Sequence, residues 1–409
     1  MERKKLKIGL FGFGVVGKGL YDVLNANPGL RAEIVKICVH EKNKERPIGR
    51  EHFTWYAHEL LYNDEVNVIV ELIDDADAAF EIVKTALENG KAVVSANKKM
   101  IAEHLEELLE LQRVHGTPFL YEGACCASIP VIRNLEEYYD NDLLQSLCGI
   151  VNGSTNYMLT RMHRDHLSFD EALQQAQLLG YAESNPALDV EGWDARNKLV
   201  ILLAHAFGVM AKPEDVVHAG INRIGKLETE YARQHAYKIK LVAHAYKLDA
   251  EHIAAFVLPQ FVSSHSNLHE VDDVFNGVEI EGCFADKQFF RGRGAGAFPT
   301  ASAVLSDISA ISYDYRYEYK KFQQNNNLQL SHDFTLRVFV RLGADDAELS
   351  TWFQQVEEHY KRGDEQFVTG IIPFSKVCEL NARNVSVVVC AEPEFCMAEQ
   401  VEMCEEAFV

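Results

Sequence analysis

The stretch that decides the fold is residues 6–24, LKIGLFGFGVVGKGLYDVL, in which an apolar run enters a glycine cluster and a helical pattern follows. In this context the first glycine of GxGxxG permits a tight turn, and the second lets the backbone approach a pyrophosphate. The third lets helix and strand pack closely, and the helix N-terminus attracts phosphate. The stretch predicts a dinucleotide-binding turn, with an incidental glycine turn as the alternative. The residues of the predicted turn are Gly12, Phe13, Gly14, Val15, Val16 and Gly17.

Strands and helices alternate as far as residue 122, which predicts a Rossmann-type, doubly wound parallel sheet. The predicted strands are 33–39, 66–73, 91–95 and 118–122, and the clearest helices are 74–90 and 101–114. Residues that follow the carboxyl ends of such strands line the cofactor crevice. We therefore expect Ser95 and Lys98 to meet the cofactor or its substrate. A solvated surface position is the alternative for Lys98.

The end of the second predicted strand bears on the choice between NAD and NADP. An acid there would hold the ribose 2′-hydroxyl of NAD, whereas a cation favours the 2′-phosphate of NADP. The segment carries one acid, Glu41, among His40, Lys42 and Lys44. The choice stays open, with a lean towards NADP.

Residues 180–207, GYAESNPALDVEGWDARNKLVILLAHAF, hold the candidate chemistry. A helix with a Ser168–Glu171 capping box precedes them. Asp194 and Lys198 are four residues apart on a second helix whose remainder is apolar, so they share one face and can pair. A lysine held by carboxylates beside an apolar helix suits general acid–base catalysis. An ordinary surface ion pair is the alternative.

Three further loops combine small and polar residues. In residues 122–130, EGACCASIP, one carboxylate and several carbonyls suit a hard cation, although a tight packing turn is the alternative. Residues 150–158, IVNGSTNYM, suit a crossover between domains or plain turn chemistry. In residues 291–307, a glycine-rich turn lets backbone approach a ligand and precedes a helix with Thr300 as the predicted N-cap.

The second half of the chain predicts an α+β catalytic and dimerisation domain followed by a small module. Residues 237–290 alternate as strands of an open sheet, and residues 313–328 are expected to form a linker. A strand at 333–340, a helix at 344–360 and strands at 366–374 and 385–391 complete the pattern. The expected domains are 1–130 completed by 297–315, then 131–296, then 328–409.

Composition excludes several classes of protein. The 409 residues carry a net charge of −21, which argues against binding nucleic acid or an anionic membrane. The nine cysteines form no CxxC pair, so reduced thiols in a cytoplasm are the simplest interpretation. No apolar run is long enough to span a bilayer.

Taken together, these motifs resemble the homoserine dehydrogenases, which interconvert L-aspartate 4-semialdehyde and L-homoserine with NAD(P). The resemblance covers nearly all of residues 5–310. It is carried by GFGVVG at 12–17, SANKK at 95–99, VNGSTNYML at 151–159, GYAESNPALDVEGWDARNKL at 180–199 and GRGAGAFPTASAVLSDI at 292–308. It implies a monofunctional enzyme of threonine, methionine and isoleucine biosynthesis, and a homodimer or higher homo-oligomer.

The resemblance also implies roles for single residues. Lys198 would be the acid–base residue, and Lys98 would lie at the junction of cofactor and substrate. Glu183 and Asp194 would hold the substrate's amino group, with Asp189 nearby. The further cofactor contacts would be Gly180, Gly294 and Gly296, and the ligands of a Na⁺ ion would be Glu122, Cys125, Ala127 and Ile129.

The tail resembles an ACT-like module, expected to be structural or dimer-forming rather than effector-binding. Two other functions stay open at this point. A catalytically silent dinucleotide-binding regulatory protein is suggested by the acidic pair Asp74 and Asp75 near the expected cofactor path. A related dehydrogenase for another small hydroxy compound would share the same fold.

Overall fold

The computed structural model describes residues 5–140, 144–324, 327–343, 347–391, 393 and 396–397. The chain divides into two compact units. Unit 1 comprises Met1–Asn141, Val200–Ala206 and Gly292–Gln323, and unit 2 comprises Asp142–Leu199, Phe207–Arg291 and Gln324–Val409. The three domain boundaries expected from the sequence stay a prediction, because compactness alone does not show which segments fold independently.

Unit 1 contains the predicted Rossmann-type sheet. Its six parallel strands are β1 (Leu6–Phe11), β2 (Ala32–Cys38), β3 (Phe53–Thr54), β4 (Val68–Glu71), β5 (Ala92–Ser95) and β6 (Phe119–Leu120). Their order is β3-β2-β1-β4-β5-β6. Both β4 and β5 are buried along their whole length, as strands covered on both faces by helices must be. The predicted fold class is confirmed for this unit.

Thirteen α-helices occur among the described residues. They are α1 (Val15–Ala26), α2 (His58–Leu61), α3 (Ala76–Glu88), α4 (Lys98–His115), α5 (Val131–Glu137), α6 (Gly153–Arg164), α7 (Phe169–Leu178), α8 (Ala187–Val190), α9 (Trp193–Phe207), α10 (Lys226–Gln234), α11 (Ala297–Ile311), α12 (Lys320–Gln323) and α13 (Phe374–Ala382). Short 3-10 helices lie at Arg50–His52, Glu122–Ala124, Pro213–Asp215, Asn267–Glu270 and Ala347–Trp352. None of the helices in the described ranges is long and apolar enough to cross a membrane.

Unit 2 is built on a mixed sheet with twelve strands in the described part of the chain. They are β7 (Leu144–Ile150), β8 (Val217–His218), β9 (Lys238–Lys247), β10 (His252–Val262), β11 (Phe275–Gly282), β12 (Asp286–Arg293), β13 (Gln329–Leu330), β14 (Phe334–Leu342), β15 (Gln355–Arg362), β16 (Glu365–Pro373), β17 (Val387–Val389) and β18 (Cys396–Met397). The main path is β12-β11-β7-β9-β10-β17-β14-β16-β15. The C-terminal strands therefore continue the same sheet, through the pairing of Gln260 in β10 with Val389 in β17. The ACT-like character of the tail stays a prediction.

Two predictions about helices were wrong. The helix expected over 344–360 is instead a 3-10 helix at Ala347–Trp352 followed by β15, and residues 344–346 lie outside the described ranges. Pairing with β16 decides the strand, because an edge strand is stabilised by backbone hydrogen bonds that local propensity does not reveal. Helix α11 begins at Ala297, and its N-cap is Gly296, four residues before the predicted N-cap Thr300.

Most of the segment expected to be a linker, 313–328, is instead packed into unit 1, which contains it as far as Gln323, and residues 325–326 lie outside the described ranges. Tyr317 and Tyr319 are buried, and the Tyr319 hydroxyl lies 2.6 Å from the Tyr121 hydroxyl. The Tyr121 hydroxyl lies 2.8 Å from Nε2 of His205, whose Nδ1 lies 2.6 Å from Glu136 Oε1. The aromatic rings of Tyr317 and Tyr319 therefore fill a core, and the Tyr319 hydroxyl finds a partner in that of Tyr121.

Candidate catalytic site and cofactor turn

Helix α9 places Asp194 and Lys198 in unit 2 as the sequence spacing predicts. The Lys198 ammonium lies 2.7 Å from Asp194 Oδ2, and the two residues are only 7% and 6% exposed. Lys198 Nζ also donates to the carbonyl oxygen of Val151 at 2.7 Å. The pair is therefore buried rather than an ordinary surface ion pair. A buried amine with a carboxylate partner is suited to exchanging a proton with a bound substrate.

Asn152 joins this pair to Asp189, and sequence reasoning did not assign it to the site. Its side-chain amide Nδ2 donates to Asp189 Oδ1 at 2.7 Å and to Asp194 Oδ2 at 2.9 Å. Its Oδ1 accepts from the backbone N–H of Thr155, which makes Asn152 the N-cap of α6. The only sequence signal was the polar turn at 150–158. An asparagine there is also ordinary cap chemistry.

Glu183 and Gly180 lie in the loop after α7, whose predicted capping box is present. Gly180 has φ +74°, the left-handed conformation expected of a helix stop. The Glu183 side chain is exposed, and its carbonyl oxygen accepts from Gln177 Nε2 at 2.9 Å. Within the described residues, the hydrogen bonds around Asn152 and Asp194 do not include the Glu183 carboxylate.

In unit 1, the glycines of the predicted cofactor turn have separate structural reasons. Gly12 has φ +91°, and a Cβ atom there would lie 2.4 Å from the Leu72 carbonyl oxygen. A Cβ on Gly17 would lie 2.4 Å from the Gly12 carbonyl oxygen, so both positions require glycine. Gly14, the N-cap of α1, has nothing within 4 Å of its Cβ position. That open space at a helix N-terminus is where a pyrophosphate can approach the backbone. The turn also exposes Val15, whose side chain is 70% accessible.

The second glycine-rich turn leads into α11, which packs against α1. Gly296 is the N-cap of α11 and has φ +126°, whereas Gly294 is buried just before it. A Cβ on Gly19 of α1 would lie 2.6 Å from the carbonyl oxygen of Ala297, so the two helices cross at very close range. The two glycine-rich turns therefore precede helices that contact each other within unit 1.

Ser95 is the last residue of β5, and Lys98 is the first residue of α4, three residues later. Ser95 Oγ donates to Glu71 Oε2 at 2.5 Å, and the backbone N–H of Ile73 donates to Glu71 Oε1 at 2.7 Å. Glu71 is fully buried, and burial raises its pKa to about 7. Lys98 is half-buried at the first position of α4. Glu71 was missed because an acid that ends an apolar strand gives no motif.

The loop at 122–130 uses its single carboxylate for structure. Glu122 Oε1 and Oε2 accept from the backbone N–H groups of Ile132 and Arg133 at 3.0 and 2.9 Å. Burial, with repulsion from Asp307, raises the pKa of Glu122 to about 8. Cys126 and Ala127 have φ of 54° and 39°, so the turn is left-handed at two non-glycine residues. The described part of the chain contains no group of three or more His, Cys, Asp or Glu side chains that could hold a metal.

Comparison with known proteins gives a consistent result. The family model for homoserine dehydrogenase matches residues 130–309, and the model for its NAD-binding domain matches residues 12–122. The homoserine dehydrogenase of Helicobacter pylori is 36% identical over 317 residues, which cover 76% of this chain and 74% of that protein.

Solved structures agree with these matches. A homoserine dehydrogenase from Thiobacillus denitrificans has a TM-score of 0.83 and 27% identity, covering 96% of this chain and 98% of that one. A hyperthermophilic archaeal homoserine dehydrogenase mutant in complex with NADPH has a TM-score of 0.66 and 25% identity, covering 77% of this chain and 100% of that one.

Proposed function

The chain belongs to the homoserine dehydrogenase family, and on that premise we propose that the buried cluster around Lys198 is its catalytic site. As a homoserine dehydrogenase it is an oxidoreductase that uses NAD or NADP to interconvert L-homoserine and L-aspartate 4-semialdehyde. The observation that carries the site assignment is the buried pair of Lys198 and Asp194. Family membership favours homoserine over another hydroxy compound and an enzyme over a silent regulatory protein.

Lys198 acts as the acid–base residue in this proposal. A nicotinamide bound at the glycine turn would supply hydride for reduction of the aldehyde, while the Lys198 ammonium stabilises the developing alkoxide and donates the proton. In oxidation of homoserine, neutral Lys198 accepts the hydroxyl proton, and a bound oxidised nicotinamide would accept the hydride that leaves the carbon. Asp194 keeps the amine oriented through a 2.7 Å contact.

The acids around Lys198 suit a substrate that carries an ammonium group. Asp189 and Asp194 converge on the Asn152 amide, so two carboxylates lie close together beside the amine. We assign Glu183 and Asp194 to the substrate ammonium, with Asp189 beside them. The exposed loop of Glu183 leaves that carboxylate accessible to a ligand.

The glycine turn at 12–17 is proposed to hold the pyrophosphate of the cofactor, with Ser95, Lys98, Gly180, Gly294 and Gly296 as further contacts. NADP is the proposed preference. The guanidinium of Arg46 lies 5.1 Å from the ring of Phe53, which lies 5.2 Å from the ring of Phe13 in the turn. A fixed guanidinium near the turn suits a 2′-phosphate.

The proposed Na⁺ would be held by the carbonyl oxygens of the loop at 122–130. The Glu122 carboxylate is already occupied by two backbone N–H groups, so the ligands would be the carbonyls of Glu122, Cys125, Ala127 and Ile129. Carbonyl oxygens bind hard cations. A bound cation would supply positive charge that fixes this turn. Equal rates in NaCl and in choline chloride at matched ionic strength would contradict this assignment.

We further propose a homodimer formed through the sheet of unit 2 and a cytoplasmic location. The cysteines of the described residues, such as Cys38 and Cys148, are free thiols, in keeping with a reducing compartment. Light scattering after gel filtration tests the dimer, since a mass of one 46.2 kDa chain would rule it out.

One assay tests the function and the cofactor preference together. Nicotinamide absorbance is followed with L-homoserine and with a panel of simple alcohols, using NAD and NADP in parallel. We expect homoserine-dependent reduction of the nicotinamide cofactor, with a higher kcat/KM for NADP than for NAD. Replacing Arg46 with Met should lower kcat/KM for NADP about tenfold and leave that for NAD unchanged. Activity with another alcohol, together with no activity with homoserine, would contradict the proposed substrate.

A further inference from the structure

We propose that Asn152 is a positioning residue that fixes the carboxylates of Asp189 and Asp194 around the Lys198 ammonium. The inference deepens the proposed function and rests on the assignment of Lys198 as the acid–base residue. Asn152 is placed here as a group that acts through its neighbours, without itself touching the reacting atoms.

Every polar atom of the Asn152 amide is engaged. The two N–H groups of Nδ2 are directed at Asp189 Oδ1 and Asp194 Oδ2, at 2.7 and 2.9 Å. Oδ1 accepts from the backbone N–H of Thr155 at 2.8 Å and from its hydroxyl at 2.9 Å. A flipped amide would direct its oxygen at two carboxylates, so the chemistry of the neighbours allows one orientation. The side chain is 5% exposed, so water does not replace these contacts.

Asn152 affects the chemistry of Lys198 because both residues donate to the same oxygen atom, Asp194 Oδ2. Asp194 Oδ2 accepts from both the Lys198 ammonium and the Asn152 amide. When Lys198 gives up its proton, Asp194 stays buried and charged, and an isolated buried carboxylate is costly. The Asn152 N–H remains as its donor. The amide therefore lowers the cost of the neutral-amine state, which is the state that oxidation of homoserine requires.

The backbone that carries Asn152 is held firmly. Asn156, one turn later on α6, donates through Nδ2 to the carbonyl oxygens of Val271, Asp273 and Phe275, at 3.0, 3.0 and 3.1 Å. Val151, the residue before Asn152, accepts from Lys198. The start of α6 therefore positions both the amide and one acceptor of the catalytic lysine.

Asn152→Asp separates this role from helix capping. Aspartate has the same shape and caps helices as well as asparagine, but it replaces the donor with an oxygen that faces two carboxylates. The added negative charge stabilises the Lys198 ammonium. We expect the pH midpoint of kcat/KM for homoserine oxidation to rise by about one unit, with about a tenfold loss near neutral pH. The Kd for NADP should not change.

The matched control is Thr160→Val. It removes both hydrogen bonds of the Thr160 hydroxyl, which donates to the Asn156 carbonyl oxygen and accepts from the Asp273 backbone N–H, and it leaves the Asn152 amide untouched. We expect a lower Tm in this variant with an unchanged pH midpoint. If Asn152→Asp fails to fold, Asn152→Ser keeps a cap oxygen without the NH₂ group, and its midpoint should rise in the same direction.

An unchanged midpoint in a folded Asn152 variant overturns the proposal. So does a loss of activity that follows Tm equally in Asn152→Asp and Thr160→Val, because that pattern reports only a structural role. Failure of the premise is distinguishable. If Lys198→Ala retains both wild-type turnover and the same pH profile, the assignment of Lys198 is wrong whatever Asn152 does.

Discussion

Unit 2 contains two buried lysines that each bind an aspartate, and they differ in what else reaches the acid. Lys240 is 1% exposed and lies 3.0 Å from Asp272, which also accepts from Lys238 at 3.0 Å and from Arg164 at 2.7 Å. Lys198 lies 2.7 Å from Asp194, which it shares with a neutral amide, that of Asn152. Three cations thus surround one acid in the first cluster, whereas acids outnumber the amine in the second.

The difference separates a structural lysine from one suited to catalysis. Burial lowers the pKa of Lys240 to about 8, and Asp272 offsets only part of that shift. Burial alone would raise the pKa of Asp272, but Lys240 and Lys238 outweigh it and lower the pKa to about 2. Lys240 Nζ also donates to the Val271 carbonyl oxygen and to Asn156 Oδ1, which ties β9 to α6. Its role is to hold the sheet and helix together beneath the site.

The largest expected effect is on Lys198→Ala. Removing the acid–base group should lower kcat for homoserine by about a thousandfold or more, within the range known for such groups. Cofactor binding should persist, because no residue of the glycine turn is altered. Initial rates and titration of NADPH fluorescence measure the two quantities. Wild-type turnover in this variant would show that Lys198, like Lys240, has no direct part in catalysis.

Glu71 extends the comparison to a buried acid in unit 1, where Ser95 and a backbone N–H are its hydrogen-bond donors. Its folded pKa of about 7 lies above the ordinary 4.5. The protonated form is therefore favoured in the folded state, and stability from this group is present below pH 4.5 and lost as pH rises through 7.

As the pH rises from 4.5 through 7, the wild type loses this stability and Glu71→Gln does not. The free energy of unfolding of Glu71→Gln should therefore increase by about 3 kcal/mol relative to that of the wild type. Urea unfolding at pH 4.5 and pH 8 measures it. Glu81→Gln, on the exposed face of α3, is the control and should show no such slope. A pH-independent difference for Glu71→Gln would contradict the raised pKa.

Lys240→Met should lower the free energy of unfolding by about 2 kcal/mol, less than a fully orphaned buried charge costs. Asp272 keeps Lys238 and Arg164 as partners, which limits the loss. kcat at a temperature well below Tm should stay within about threefold of the wild type, since the Lys198 cluster is untouched. Urea denaturation and initial rates are the measurements. A decrease in kcat as large as that of Lys198→Ala would show that the role of Lys240 is not only structural.

The smallest expected effect concerns the tail. Arg223 donates to Asn381 Oδ1 at 2.8 Å and to Asn384 Oδ1 at 2.7 Å, and Asn381 Nδ2 donates to the His218 carbonyl oxygen at 2.7 Å. The His218 ring lies 4.3 Å from the ring of Trp193, the residue before Asp194. Asn381 in the C-terminal segment therefore supports the first turn of α9 through His218.

Arg223→Met should therefore raise KM for homoserine about threefold, corresponding to less than about 1 kcal/mol, without changing KM for NADP. Steady-state kinetics at saturating second substrate provides the test. Arg383→Met is the control, because the Arg383 guanidinium is engaged elsewhere, in an exposed ion pair with Glu348 and 4.8 Å from the Trp352 ring. Equal changes in KM for homoserine in both variants would show that the contacts of Arg223 do not support α9.

Part of this picture follows from local sequence alone. The capping box of Ser168 and Glu171 forms as expected, and the positive φ of Gly12 and Gly180 follows from the turns they make. The spacing of Asp194 and Lys198 predicts their pairing because helix geometry places residues four apart on one face. The expected helix at 344–360 failed because a neighbouring strand, β16, determines that segment.

By itself, the sequence determined the glycine turn, the alternation of strands and helices, and the i,i+4 pair on α9, since each depends on a few adjacent residues. Only the tertiary structure decided that Asn152 donates to two acids 37 and 42 residues away, and that Ser95 donates to Glu71 24 residues before it. Only the folded chain, too, brings the tail strands into the sheet of unit 2. Such contacts depend on how the chain closes over long loops, and no local period of 2 or 3.6 residues encodes that closure.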